Sequence, residues 1–133
     1  MNIAFDLHGT ADRFQEFFSR LSHTWLGRMG NVYVITSVHR SRQHVAEECA
    51  KHNIVYDDII LTGSIWDNPA DRGRLIAEYN IAVMFDDLPE YSAHFPESCL
   101  TFHVRHRGNF DFETKEYRFP QGFCRDDKPF GHW

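Results

Sequence analysis

Three short stretches of this chain end an apolar run on a residue able to do chemistry. Asn2-Ile3-Ala4-Phe5 runs into Asp6, and Gly9-Thr10 breaks the pattern three residues later. Val32-Tyr33-Val34-Ile35 runs into Thr36-Ser37, and Ile81-Ala82-Val83-Met84-Phe85 runs into Asp86-Asp87. A buried strand that carries a polar group to its C-terminal tip and then turns has this pattern. In a parallel sheet all such tips emerge along one edge, where ligands of open α/β sheets bind, so distant positions can converge there. Carboxylates at Asp6, Asp86 and Asp87, with backbone carbonyls, make a hard, oxygen-rich set that suits Mg²⁺ better than zinc. A hydroxyl and exposed amides at Thr36-Ser37 could hold a phosphate. Each feature alone has a plainer use: a strand-end aspartate as turn former, Thr36-Ser37 as cap of the next helix, Arg72 as a solvated helix residue.

Together these stretches resemble the haloacid dehalogenase-like (HAD) superfamily of aspartate-nucleophile hydrolases, most of which are phosphatases. The family's first motif, DxDx(T/V) after a strand, is matched by Asp6-Leu7-His8-Gly9-Thr10 with one substitution. Its second, a hydrophobic strand ending in Thr or Ser, is matched by Val34-Ile35-Thr36-Ser37, and its fourth, an acidic pair after a strand, by Asp86-Asp87. The third is a loosely placed Lys or Arg; Arg72 stands 14 residues before Asp86, with Lys51 and Arg74 as the other candidates. The resemblance covers about residues 2–104.

The resemblance implies that Asp6 is the nucleophile and forms an aspartyl-phosphate. It places Mg²⁺ between the Asp6 carboxylate, the backbone carbonyl of His8, and Asp86 with or without Asp87. Thr36, with Ser37 beside it, would hydrogen-bond the transferring phosphoryl group, and Arg72 would neutralise that group and hold Asp6 ionised. His8 departs from the pattern, which has an aspartate there to protonate the leaving oxygen and then activate water. An imidazole with its ordinary pKa of about 6.5 can serve as both acid and base, although its planar ring changes the geometry. Loss of such help costs about 10²–10⁴ in rate, so a catalytically impaired metal- or phosphate-binding relative is the alternative expectation. Another is a nucleotide or nucleic-acid end phosphatase, suggested by the basic cluster His39-Arg40-Ser41-Arg42. Neither gap between motifs has room for the cap domain that many relatives insert, so the expected partner is a phosphorylated substrate, bulky or macromolecular ones included.

The elements that must position these residues alternate. Strands are expected at 2–6, 32–35, 59–61, 81–85 and 100–104. Phe14, Phe17, Phe18, Leu21 and Trp25 have helical spacing, giving a helix over about 12–27, and a second fits about 40–52. Asn68-Pro69 has the form of a cap followed by proline at the first helical position, opening a helix to about Tyr79. This β-α-β-α order implies an α/β, Rossmann-like three-layer sandwich with a mostly parallel sheet and no cap domain. From about 105 the chain changes character. Phe110, Phe112, Tyr117 and Phe119 suggest a hairpin or arm that covers a sheet edge or serves a homodimer contact, and Pro120–Trp133 has no regular pattern.

A chain of 133 residues, 42% apolar with twelve Phe, is long enough for a single domain with one packed core. A net charge of −5 argues against broad binding to nucleic acid or to a membrane surface. Cys49, Cys99 and Cys124 are odd in number and form no CxxC pair, which fits reduced thiols and a cytoplasmic protein. No run approaches the roughly 18 apolar residues of a membrane span, and no signal peptide is expected. His103 and His106, three apart, give no expectation of a zinc site.

Overall fold

The computed structural model of the protein describes residues 1–37 and 39–117. Phe119, the 120–133 stretch and Cys124 lie outside them. Five strands form one all-parallel sheet: β1 (Asn2–Asp6), β2 (Val32–Ser37), β3 (Asp58–Thr62), β4 (Ile81–Asp86) and β5 (Leu100–His103). Their spatial order is β3-β2-β1-β4-β5. The chain works outward from β1 to β3, then crosses back to lay β4 on the other side of β1. That reversal opens a crevice at the carboxyl ends of β1 and β4, the place where open α/β sheets bind ligands.

Alternation along the strands divides the core between two faces. Ile3, Phe5, Val32 and Val34 point to the face covered by α1 (Gln15–Trp25) and α2 (Arg42–Lys51), where they meet Phe18, Val45 and Cys49. Ala4, Tyr33, Ile35 and Met84 point to the other face, against Ile76 of α3 (Ala70–Glu78). The result is the expected three-layer α/β sandwich. Among the described residues a wide turn over Leu7–Ala11 and α1 stand between β1 and β2, and α2 between β2 and β3, with no inserted domain over the strand tips there. No helix among the described residues is long and apolar enough to cross a membrane.

The differences from the sequence expectations have local causes. Helix α1 starts at Gln15, not about 12, because Leu7–Ala11 forms a wide turn closed by Asp12, whose carboxylate accepts the Gly9 N–H at 2.8 Å. Gly9 has φ 85°, which an L side chain rarely adopts. Asn68 caps nothing with its side chain; α3 begins at Ala70, and Asp71 in its first turn accepts the Gly63 N–H at 2.8 Å instead. A four-residue helix, α4 (Pro89–Ser92), follows β4, too short for its periodicity to be seen. The turn that follows it lies so close to α3 that a Cβ on Gly73 would collide with the backbone carbonyl of His94. The aromatic segment does form a hairpin, β6 (Phe110–Asp111) with β7 (Glu116–Tyr117), which among the described residues pairs with itself and not with the main sheet. Among the described residues β5 is the last strand of the sheet on this side, with Leu100 and Phe102 exposed.

Candidate active site

The strand tips converge as their spacing predicts. Asp6 ends β1, Thr36-Ser37 end β2 and Asp86 ends β4, with Asp87 next in the chain; all five are buried. One oxygen each of Asp6, Asp86 and Asp87 lies within 4.8 Å of the others. Such a set of negative groups needs compensation, and Arg72 on α3 supplies part of it. Its guanidinium, 1% exposed, donates to Asp86 Oδ2 at 2.8 Å and lies 3.5 Å from Asp6 Oδ1. Its Nε donates to Thr62 Oγ1 at 3.3 Å, and its Cζ lies over the Tyr91 ring, 3.6 Å from the ring centre. The other candidates for this cation stand elsewhere. Arg74 is exposed and pairs with Asp71 and Glu78, and Lys51 is exposed at the end of α2.

Compensation by Arg72 is incomplete. Burial raises the Asp6 carboxyl to about 7, and Arg72 opposes that shift without overcoming it. Arg72 thus acts on Asp6 in the expected direction, toward the ionised form, against a larger desolvation. Asp87 is pushed well above the ordinary carboxylate range, by burial first and then by Asp6 and Asp86. Burial and mutual repulsion thus disfavour having both carboxylates ionised side by side unless a further positive charge neutralises them. Asp87 Oδ1 accepts the Thr10 hydroxyl at 3.3 Å, while its Oδ2 is buried with no hydrogen-bond partner. An orphaned carboxylate oxygen beside two more carboxylates fits a divalent cation of the hard, oxygen-seeking kind.

A pocket opens beside the carboxylates, lined by Asp6, His8, Thr36, Ser37, Arg40, Arg72, Leu88 and Tyr91. Ser41, not Thr36 or Ser37, caps α2, its hydroxyl accepting the His44 N–H at 3.1 Å. That removes the plainer use of the β2 tip and leaves the Thr36 side chain facing the pocket. Ser37 is partly engaged, its hydroxyl accepting the His39 N–H at 3.4 Å. His8 is 9% exposed, and its Nε2 is buried without a partner. Its Nδ1 lies 3.5 Å from Asp12 Oδ2, so a carboxylate orients one edge of the ring while the other nitrogen remains available. Comparison with protein-family models, curated proteins and solved structures finds no match to this chain.

Several residues that build the site are not among the candidate site residues of the sequence, where His106 is weighed only for zinc. Asp12 stands four residues after His8, a spacing at which one turn could bring the pair together. Thr62 ends β3, the same signal that marks Thr36. His106 and Asn109, in the segment after β5, tie down both acidic loops. His106 Nε2 bonds the Gly9 carbonyl at 2.7 Å and its Nδ1 accepts the Gly108 N–H at 3.0 Å, which requires the neutral ring with its proton on Nε2. Burial, then the charge of Arg13, holds this imidazole below the usual histidine range. Asn109, fully buried, donates to the Asp87 carbonyl at 2.7 Å and the Val104 carbonyl at 2.9 Å, and accepts the His106 N–H at 2.9 Å. Asn109→Ala is expected to cost about 2–3 kcal/mol in urea denaturation, because it leaves buried backbone groups unpaired. A loss below about 0.5 kcal/mol would show that this tie is not what holds the loops together.

Proposed function

We propose that the protein is a Mg²⁺-dependent phosphohydrolase with an aspartate nucleophile, acting on phosphomonoesters in the manner of the uncapped HAD phosphatases it resembles. The observation that carries this reading is the pairing of two features at one sheet edge. A buried three-carboxylate cluster has an unpartnered oxygen on Asp87, and a pocket beside it holds Asp6 next to an unpartnered, carboxylate-oriented His8 nitrogen.

In this mechanism a carboxylate oxygen of Asp6 attacks phosphorus, forming an O–P bond as the ester P–O bond breaks. His8, protonated at Nε2, gives that proton to the departing oxygen, and Asp12 stabilises the ring cation. Water then attacks the phosphorus of the aspartyl-phosphate and loses its proton to His8 Nε2, which restores Asp6 and releases phosphate. Thr36 donates a hydrogen bond to the phosphoryl oxygens. Asp6, Asp86, Asp87 and the His8 carbonyl would hold Mg²⁺, which would neutralise the acidic cluster and polarise the phosphoryl group.

The test is phosphate release from a broad phosphomonoester panel, with and without Mg²⁺, for wild type, His8→Asn and His8→Asp. Wild type is expected to release phosphate only with the metal, and His8→Asn to lose about 10²–10⁴ of that rate. Activity in His8→Asp alone would mean that His8 disables the site and that the protein binds its ligand without turning it over. Silence from all three folded proteins would remove the phosphohydrolase reading.

The side chains of the basic cluster after β2 are used in different places. Arg42 is committed to Asp58 and to the Ile59 carbonyl, and only Arg40 of the four turns into the pocket.

A further inference from the structure

We propose that Arg40, not Arg72, is the cation that recognises the phosphoryl group; this rests on the phosphohydrolase reading and deepens it. The argument is one of charge and placement. Arg72 is already committed, its guanidinium buried against Asp86, Asp6, Thr62 and the Tyr91 ring. Three carboxylates carry three negative charges, which a divalent cation and Arg72 together offset. A phosphoryl group at neutral pH then brings about −1.5 to −2 more, for which the buried cluster has nothing left.

Arg40 is the remaining guanidinium on the pocket wall. It makes no ion pair with a carboxylate among the described residues, and its Nε is buried without a hydrogen-bond partner. The backbone fixes its approach: Arg40 N–H donates to the Ser37 carbonyl at 3.1 Å, a turn that brings residue 40 back over the β2 tip. His8 Nε2, also unpartnered, lines the same pocket, so two nitrogen groups border the space next to Asp6. A guanidinium binds tetrahedral oxyanions through paired, directional N–H donors, which an ammonium cannot do. The ligand class is thus the phosphoryl oxyanion itself, whether presented by a phosphomonoester or as free orthophosphate. Whatever it is attached to lies outside this contact.

Orthophosphate binding by calorimetry in Mg²⁺ tests the assignment on wild type, Arg40→Ala and Arg40→Lys, with Mg²⁺ binding measured separately on each. Arg40→Ala is expected to weaken orthophosphate binding about 10- to 100-fold, with Arg40→Lys between it and wild type and Mg²⁺ binding within about twofold. Unchanged orthophosphate binding in Arg40→Ala, against a wild type that binds, would overturn the Arg40 assignment and leave the phosphohydrolase reading intact. A rise in phosphomonoester KM with orthophosphate binding untouched would also overturn it, by placing Arg40 on the rest of the substrate. Equal loss of Mg²⁺ and phosphate would reduce Arg40 to a structural role. A wild type that binds neither and releases nothing would end both readings together.

Discussion

Asp6→Asn is expected to lower Mg²⁺-dependent phosphate release by at least about 10⁴-fold, since removing a nucleophile from an enzyme that works through a covalent intermediate has cost up to about 10⁶. The same substitution should leave the metal-free protein at least as stable as wild type above neutral pH. Asp6 is buried at the tip of β1, and desolvation raises its carboxyl to about 7. A carboxyl raised in the folded state favours folding while protonated. Its contribution is complete below the unfolded value of about 4 and is lost as pH rises through about 7. Wild type without metal should therefore lose melting temperature from Asp6 across that window, and Asp6→Asn should not. Added Mg²⁺ should raise the wild-type melting temperature by binding the folded state alone, and raise that of Asp6→Asn less. Thermal melts at pH 5 and pH 8, with and without Mg²⁺, read all of this. An Asp6→Asn variant that keeps phosphate release within about tenfold of wild type would remove Asp6 as nucleophile. One that melts well below wild type at pH 8 would show that the carboxylate is a structural asset, not a cost.

The two kinds of information in this site were legible to different degrees. The tips of β1, β2 and β4 could be read because, although each alone has a plainer use, three apolar runs ending in Asp or Thr recur in one α/β chain, and a parallel sheet brings such tips together. Choosing Arg72 over Arg74 could not be done the same way. Two residues apart on a helix point about 200° from each other, so the choice depends on how α3 crosses the sheet. In the fold Arg72 turns inward to Asp86 and Arg74 outward to Asp71 and Glu78. His106 and Asn109 were hidden for another reason. They follow the last strand of the sheet in a segment with no periodicity, and their role comes from contacts 97 and 22 residues away along the chain. Asp12 was hidden inside a stretch whose helical spacing suggested that α1 had already begun; the Gly9 turn delays that start and frees Asp12 to face His8.

Arg72→Met should be the most damaging single substitution to stability, about 3–5 kcal/mol in urea denaturation at pH 7, because breaking a buried pair leaves charge behind with no water to solvate it. Asp86 Oδ2 loses its donor at 2.8 Å, Asp6 loses the cation 3.5 Å away, and the Tyr91 ring loses the guanidinium lying over it. A typical domain has only about 5–15 kcal/mol in total, so a metal-free Arg72→Met protein should sit near its unfolding threshold. Arg72→Lys should recover only part of the loss. An ammonium can meet one carboxylate, but it cannot lie over Tyr91 while also reaching Thr62 and Asp86. Arg74→Ala, on the exposed side of the same helix, should leave the urea midpoint close to that of wild type, since surface pairs contribute little. The double substitution Arg72→Met with Asp86→Asn distinguishes the stranded charge from lost packing. If the cost is the stranded carboxylate, removing that charge returns a substantial part of the stability, and the two changes are strongly non-additive. Additive losses would mean instead that Arg72 stabilises the fold chiefly by filling the space between α3, α4 and the strand tips.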